Sequence, residues 1–260
     1  MVKSKLFCFP YAGGSAAVFS KWRKFLDPAI ELCPIELAGR GRRIHVPLYK
    51  DDIELVEDVF RQIEPEINRI PYVFFGHSMG SMIAYKLAQK IKKTALPGPL
   101  HVFFSGRRAP HVKRKEEKIY HRMNEEDFRR EVLELGGTPE EFFQHPELLD
   151  LFLPMLKNDF KLAELEDHPG EIDPLNMRIS VFLGKSDDLS PEQCNGWKLH
   201  SEQLCSIHYF EGGHFFLHEK MEEMLKMINM TLKCFYPDVF SKEAIAINQP
   251  GEPSLLRPSL

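Results

Sequence analysis

The sequence predicts an α/β protein: a mostly parallel central sheet with helices on both faces and a helical segment inserted late in the strand order. Three observations carry this. Short apolar, β-branched or aromatic runs alternate with amphipathic helical patterns along most of the chain. One run leads through Gly76-His77-Ser78-Met79-Gly80 directly into a helical pattern. The alternation then breaks once, between about Pro110 and Pro174.

The strand-like runs are Leu6-Phe7-Cys8-Phe9, Ile30 to Ile35, Tyr72 to Phe75, His101 to Phe104, Ile179 to Leu183 and Ile207 to Phe210. Between them lie helical patterns at Ala17 to Leu26, Ile53 to Ile67, Met82 to Ile91, Pro191 to Leu199 and His218 to Leu232. Buried strands alternating with amphipathic helices form parallel sheets covered on both sides. In such sheets the site lies at the carboxyl ends of the strands, which puts the loops after Phe9, Phe75, Leu183 and Phe210 on one edge.

The break in the pattern is helical. Phe128, Val132, Leu133 and Leu135 make one apolar stripe, and Phe142-Phe143 with Leu148 to Leu156 make another. Gly136-Gly137-Thr138-Pro139 between them reads as a helix stop, an N-cap and a proline start. The plain reading is additional helical core. The sharper one is a lid at about 110–174 whose apolar faces line a channel to Ser78, because compact crossovers are usually far shorter. One domain therefore spans 1–237. Residues 238–260 lack sustained periodicity and contain Gln249-Pro250-Gly251-Glu252-Pro253-Ser254, the signature of a poorly ordered extension.

Composition limits the function classes. At 260 residues and 43% hydrophobic content the chain can bury a substantial core. A net charge of −4 and a pI near 6.3 argue against nucleic acid as a partner. No run of about 18 apolar residues marks a membrane span, and no signal-peptide core follows the N-terminus. The five cysteines are scattered and lack C-x-x-C spacing, as expected of reduced thiols in a cytoplasmic protein.

Gly76-His77-Ser78-Met79-Gly80 has the form of a nucleophile elbow, a strained strand-to-helix turn that lifts a serine hydroxyl out of the sheet. Alone it is weak, since ordinary glycine and serine frequencies produce it by chance in roughly one such chain in ten. Context strengthens it. A serine needs a base, and His214, in Gly212-Gly213-His214-Phe215-Phe216 after the last strand, is the best placed of eleven histidines. His218, one helical turn later, is the alternative and should point elsewhere. His77 faces away from the hydroxyl and is expected to pack or orient. The base needs a carboxylate, and Gly184-Lys185-Ser186-Asp187-Asp188 ends the penultimate strand. Asp187 is chosen as the last residue of Gly-x-x-Asp, although Asp188 also qualifies on position. An oxyanion site would use the backbone N–H of Met79 and that of Ala12, in the loop Phe9-Pro10-Tyr11-Ala12-Gly13-Gly14-Ser15. That loop lacks the lysine and the spacing of a phosphate cradle.

Six segments in order, from about Lys5 to Leu232, resemble the type II thioesterases that accompany nonribosomal peptide and polyketide synthases. They are the loop Phe9 to Ser15, Glu36-Leu37-Ala38-Gly39-Arg40-Gly41-Arg42, the elbow, Ser105-Gly106-Arg107-Arg108-Ala109-Pro110, Leu135-Gly136-Gly137-Thr138-Pro139, and Gly212 to Phe216. The resemblance implies an α/β-hydrolase fold with a mobile helical lid. It implies a monomer without metal or bound cofactor, whose substrate carries the phosphopantetheine. It further implies a thioesterase of antibiotic assembly lines that clears stalled acyl groups from acyl or peptidyl carrier domains. By position it assigns Ser78 as nucleophile, His214 as base, Asp187 as acid, and Ala12 and Met79 as oxyanion donors. The loop Asp187-Asp188-Leu189-Ser190-Pro191 is one residue shorter than the family's usual form, which leaves Asp188 open. Carrier domains in this family are acidic, so Arg107, Arg108, Lys113, Arg114 and Lys115, with Lys90, Lys92 and Lys93, are candidates for steering them, or are simply a solvated charged surface. Two other readings remain: a small-molecule carboxylesterase or lipase on the same fold, and a non-catalytic binding protein.

Overall fold

A run with no polar alternation, such as Tyr72-Val73-Phe74-Phe75, must be buried on both faces. The computed structural model places it so, and describes residues 3–113, 118–137, 146–164 and 171–240. Six strands, β1 (Ser4–Phe9), β2 (Ile30–Pro34), β3 (Tyr72–His77), β4 (His101–Ser105), β5 (Arg178–Gly184) and β6 (Cys205–Phe210), form one sheet in the order β2-β1-β3-β4-β5-β6. Every pairing is parallel, with Phe9 beside Gly76, His77 beside Ser105, and Gly184 beside Phe210. The winding reverses at β1, so the loops after β1 and β3 diverge and leave a crevice between them.

Alternate side chains enter opposite layers. Phe7, Phe9, Phe74 and Phe104 pack with α1 (Asp52–Ile67) and α2 (Met79–Lys92). Leu6, Cys8, Val73, Phe75 and Phe103 pack with Trp22 and with Met224, Leu225, Ile228 and Leu232 of α7 (Met221–Phe235). Helix α1 begins where the Asp51 carboxylate accepts the Glu54 N–H at 2.8 Å, and it buries Leu55, Val59 and Ile63 on one face. Phe74, Phe75, Phe103 and Phe104 are fully buried, each worth about 1.5–3 kcal/mol of apolar transfer. The centre of the sheet, from which the elbow projects, is thus its most tightly held part.

Three expected helices differ in form. Ala17 to Leu26 is two 3-10 turns, Ala16–Phe19 and Trp22–Lys24. Phe19 at the end of the first turn and Trp22 at the start of the second meet edge to face at 4.9 Å, and Trp22 packs on Phe75. Pro191 to Leu199 divides into α5 (Pro191–Asn195), opened by a Ser190/Gln193 capping box, and a 3-10 turn at Gly196–His200. His218 to Leu232 divides into α6 (Phe216–Glu219) and α7.

The insertion between β4 and β5 holds a 3-10 turn (Tyr120–Arg122), α3 (Glu125–Leu135) and α4 (Pro146–Glu164), and no strand among the described residues. Phe128, Val132 and Leu156 form a cluster of their own with Tyr120, Phe152 and Phe160. The insertion therefore carries a small core of its own. Helix α3 stops at Gly136, whose φ of +81° suits a glycine cap. The expected helix start at Thr138-Pro139 and the Phe142-Phe143 stripe lie outside the described residues. At the C-terminus the expected boundary at 237 is too early. Pro237–Phe240 forms a further helical turn, α8, and Phe240 is buried in the core layer of α7. Residues 241–260 lie outside the described residues. No helix among the described residues is long and apolar enough to cross a membrane.

Candidate active site

The elbow is built by backbone crowding. Strand β3 runs to His77, α2 starts at Met79, and Ser78 between them has φ +53° and ψ −112°, the one non-glycine residue with positive φ among those described. A Cβ on Gly76 would stand 2.0 Å from the Gly80 carbonyl oxygen, so that position admits glycine alone. Ser78 N–H donates to Ser105 O at 2.7 Å, and Ser81 Oγ donates to Gly76 O at 2.7 Å. The first bond ties the turn to β4 and the second closes the turn on itself, while Ser81 Oγ also reaches Ser105 O of β4 at 2.9 Å.

Ser78, Asp187 and His214 meet at one cavity of about 280 Å³. His214 Nδ1 lies 3.0 Å from Asp187 Oδ2, with side chains 24% and 11% exposed. Because Nδ1–H is donated to the carboxylate, the neutral ring keeps Nε2 as its acceptor. Asp188 also lines the cavity, but the hydrogen bond to His214 belongs to Asp187. Leu135, Phe160 and Ala163 bring the insertion over the same space, and Phe215 and Leu189 add further apolar wall.

The two histidines flanking this arrangement have different tasks. His77 is fully buried beneath the elbow, with Nδ1 2.8 Å from Ser105 Oγ and its ring 5.2 Å from that of His214. Burial, reinforced by His214 and His218, pushes its pKa well below the ordinary histidine value and keeps it uncharged. His218 sits in α6, with Nε2 3.1 Å from Tyr11 Oη and its ring stacked on Phe215.

Ala12 borders the cavity and Met79 is buried at the start of α2. The neighbouring amides are engaged: Gly13 N–H donates to Asp159 Oδ2 at 2.8 Å and Gly14 N–H to Tyr11 O at 2.9 Å. Among the described residues neither the Ala12 nor the Met79 N–H has a protein acceptor. Two unengaged amides beside the half-buried Ser78 suit an oxygen that becomes negative.

Asp159 was not visible as a site residue in the sequence. It holds Gly13 and is itself held by Arg40 from 119 positions earlier. The basic candidates also divide. Arg107 and Arg108 are buried and border the cavity, where their guanidinium groups donate to Ala163 O and Val112 O. They are therefore not surface charges. Lys90 and Lys92 pair with Glu57 and Asp173, each at 2.5 Å. Lys93 and Lys113 are exposed, and Arg114 and Lys115 lie outside the described residues.

A parallel sheet wound both ways from β1, a serine on a strained elbow after β3, and a carboxylate–histidine pair on loops after β5 and β6 define an α/β-hydrolase. The chain belongs to the thioesterase family, since the Thioesterase domain model matches residues 4–232. It is 36% identical over 233 residues to the gramicidin S biosynthesis protein GrsT of Aneurinibacillus migulanus, covering 89% of this chain and 90% of that protein. Among solved structures it is similar to ClbQ from the colibactin NRPS/PKS pathway, with a TM-score of 0.83 at 33% identity over 90% of this chain and 98% of that one. It is also similar to the type II thioesterase BorB from the borrelidin biosynthetic cluster, with a TM-score of 0.79 at 28% identity over 88% and 93% of the two chains. The resemblance to type II thioesterases thus holds across sequence and fold.

Proposed function

We propose that this chain hydrolyses acyl groups from the phosphopantetheine thiol of carrier domains in a nonribosomal peptide or polyketide synthase, clearing aberrant or stalled chains. Ser78 is the nucleophile, His214 the general base, Asp187 the acid that orients it, and Ala12 and Met79 the oxyanion donors. The observation that carries the assignment is the Asp187–His214 hydrogen bond in the wall of the cavity that Ser78 also lines.

Ser78 Oγ attacks the thioester carbonyl while its proton passes to His214 Nε2. The oxygen that becomes negative is received by the Ala12 and Met79 N–H groups, and Asp187 stabilises the imidazolium. Collapse of the tetrahedral intermediate breaks the C–S bond, and the thiolate leaves without strong acid help. The thiolate then takes up the proton held by His214, which leaves the ring neutral again. Water attacks acyl-Ser78 with His214 taking its proton, and His214 returns that proton to Ser78 Oγ as the second tetrahedral intermediate collapses to the carboxylic acid. The reaction calls on no cofactor or metal. The reading extends to a cytoplasmic monomer that meets its carrier partner transiently.

Intact-protein mass of an acetyl-phosphopantetheinyl carrier tests it. The wild type should remove the acetyl group and Ser78→Ala should not. Carrier left acylated by a wild type that turns over simple esters would replace this reading with a small-molecule esterase.

A further inference from the structure

The segment Glu36 to Arg42 has no part in the chemistry above, yet it touches both the oxyanion loop and the lid. Glu36 Oε1 accepts the Ala16 N–H at 3.0 Å. Arg43 braces the segment, donating to Glu36 O at 3.0 Å and to both Asp58 oxygens at 2.7 and 2.8 Å. From this base Arg40 reaches inward. Its two terminal nitrogens grip the two oxygens of Asp159 on α4, each at 2.7 Å, and one of them also donates to Gly14 O at 2.9 Å. Asp159 Oδ2 accepts a second bond, at 2.8 Å, from the Gly13 N–H.

The contact is close and dry. Arg40 and Asp159 are 4% and 1% exposed. Gly13 has φ +79°, and a Cβ there would stand 2.6 Å from Leu156 Cδ1 and 3.3 Å from Phe152 Cζ. Phe152, Leu156 and Asp159 follow helical spacing, so one face of α4 rests on this loop. Desolvation cancels much of what a buried ion pair contributes to stability. What the pair does achieve is directional, because it fixes the peptide adjoining the Ala12 N–H.

We infer that Arg40 and Asp159 are positioning residues of the oxyanion site, and that the lid helix α4 holds the Ala12–Gly13 loop in its working shape. Seating the lid and completing the oxyanion site are then one event. The inference rests on Ala12 as a donor, not on the identity of the acyl carrier.

The test compares two double variants that both remove the buried charges. Arg40→Met with Asp159→Leu deletes the acceptor for Gly13 N–H, whereas Arg40→Met with Asp159→Asn retains a side-chain oxygen there. Each is assayed for kcat and KM on p-nitrophenyl acetate and acetyl-pantetheine, and for inhibition by a trifluoromethyl ketone that adds to a serine. The leucine variant should lose about 10- to 100-fold in kcat with KM little changed, the scale of a misplaced oxyanion donor. Ketone affinity should fall in parallel, and the asparagine variant should recover most of both losses. If the leucine variant does not fold, Asp159→Ala on the Arg40→Met background takes its place. Folded variants with equal kcat and equal ketone affinity would overturn the inference. A wild type inert on carriers but active on these small substrates would instead overturn the carrier reading and leave this one standing.

Discussion

Replacing Asp187 by asparagine changes one oxygen and has a calculable consequence. Asp187 Oδ2 accepts from His214 Nδ1 at 3.0 Å. An asparagine can turn its NH2 group toward Nδ1, and the ring then holds its proton on Nε2, the nitrogen that must accept from Ser78. General base catalysis is worth about 10²- to 10⁴-fold. Loss of the carboxylate that stabilises the imidazolium adds to it. The joint expectation is a fall of about 10³- to 10⁴-fold in kcat, or about 4–5.5 kcal/mol of barrier at 1.36 kcal/mol per decade. Asp188→Asn, which leaves the hydrogen bond to His214 in place, should cost less than about tenfold by the same conversion. The assay is steady-state hydrolysis of acetyl-pantetheine at neutral pH, with thermal midpoints measured alongside. Asp187→Asn retaining a tenth of wild-type kcat while Asp188→Asn collapses would refute the reasoning and exchange the two roles.

Two further outcomes concern the frame around the site. A Cβ at position 80 would stand 2.0 Å from Phe9 O and 2.9 Å from Pro10 O, backbone atoms that cannot swing aside. Gly80→Ala should therefore cost at least about 3 kcal/mol of unfolding free energy in urea titrations, and a loss below about 1 kcal/mol would contradict the packing argument. Burial lowers the pKa of His101, between Ser180 and Tyr236, to about 3, and that of His200, beside Tyr85 and His111, to about 4. The unfolded chain takes up these protons near pH 6.5 and the folded chain does not. Stability from this source is present above pH 6.5 and is lost as pH falls toward 4, by a few kcal/mol in all. Chemical denaturation at pH 7, 5.5 and 4.5 should show that decline, and a flat profile would refute it.

Much of the frame is legible in the chain because its strands are buried on both faces. Phe74-Phe75 and Phe103-Phe104 supply alternate side chains to opposite layers, so the signal is a short continuous run between breakers. The elbow and its later partners are legible because each follows a strand end. What the sequence conceals is direction and distant pairing. Nothing in Asp187-Asp188 says which carboxylate turns to His214, since both are cavity neighbours. Nothing in the apolar face of α4 says that Asp159 is its buried polar member, because its partners Arg40 and Gly13 lie more than a hundred positions earlier. Arg107 and Arg108 look like surface charge in a basic stretch, yet both are buried among backbone carbonyl acceptors.

The placement of glycines explains how loops from four strands hold one geometry. Gly80 lies against the end of β1, and a Cβ at Gly184 would stand 2.3 Å from the Gly213 carbonyl oxygen. The Ser78 turn is thus pressed on the strand that leads into the Ala12 loop, and the start of the Asp187 loop on the loop that carries His214. Backbone touching backbone leaves little freedom, so the reacting groups keep their spacing without relying on long side chains. Helix α4 meets the same frame through the side chains of Phe152, Leu156 and Asp159 rather than through backbone. Backbone packing therefore sets the spacing of the serine, histidine and carboxylate, and the Asp159 bonds to Arg40 and Gly13 fix α4 to the same frame.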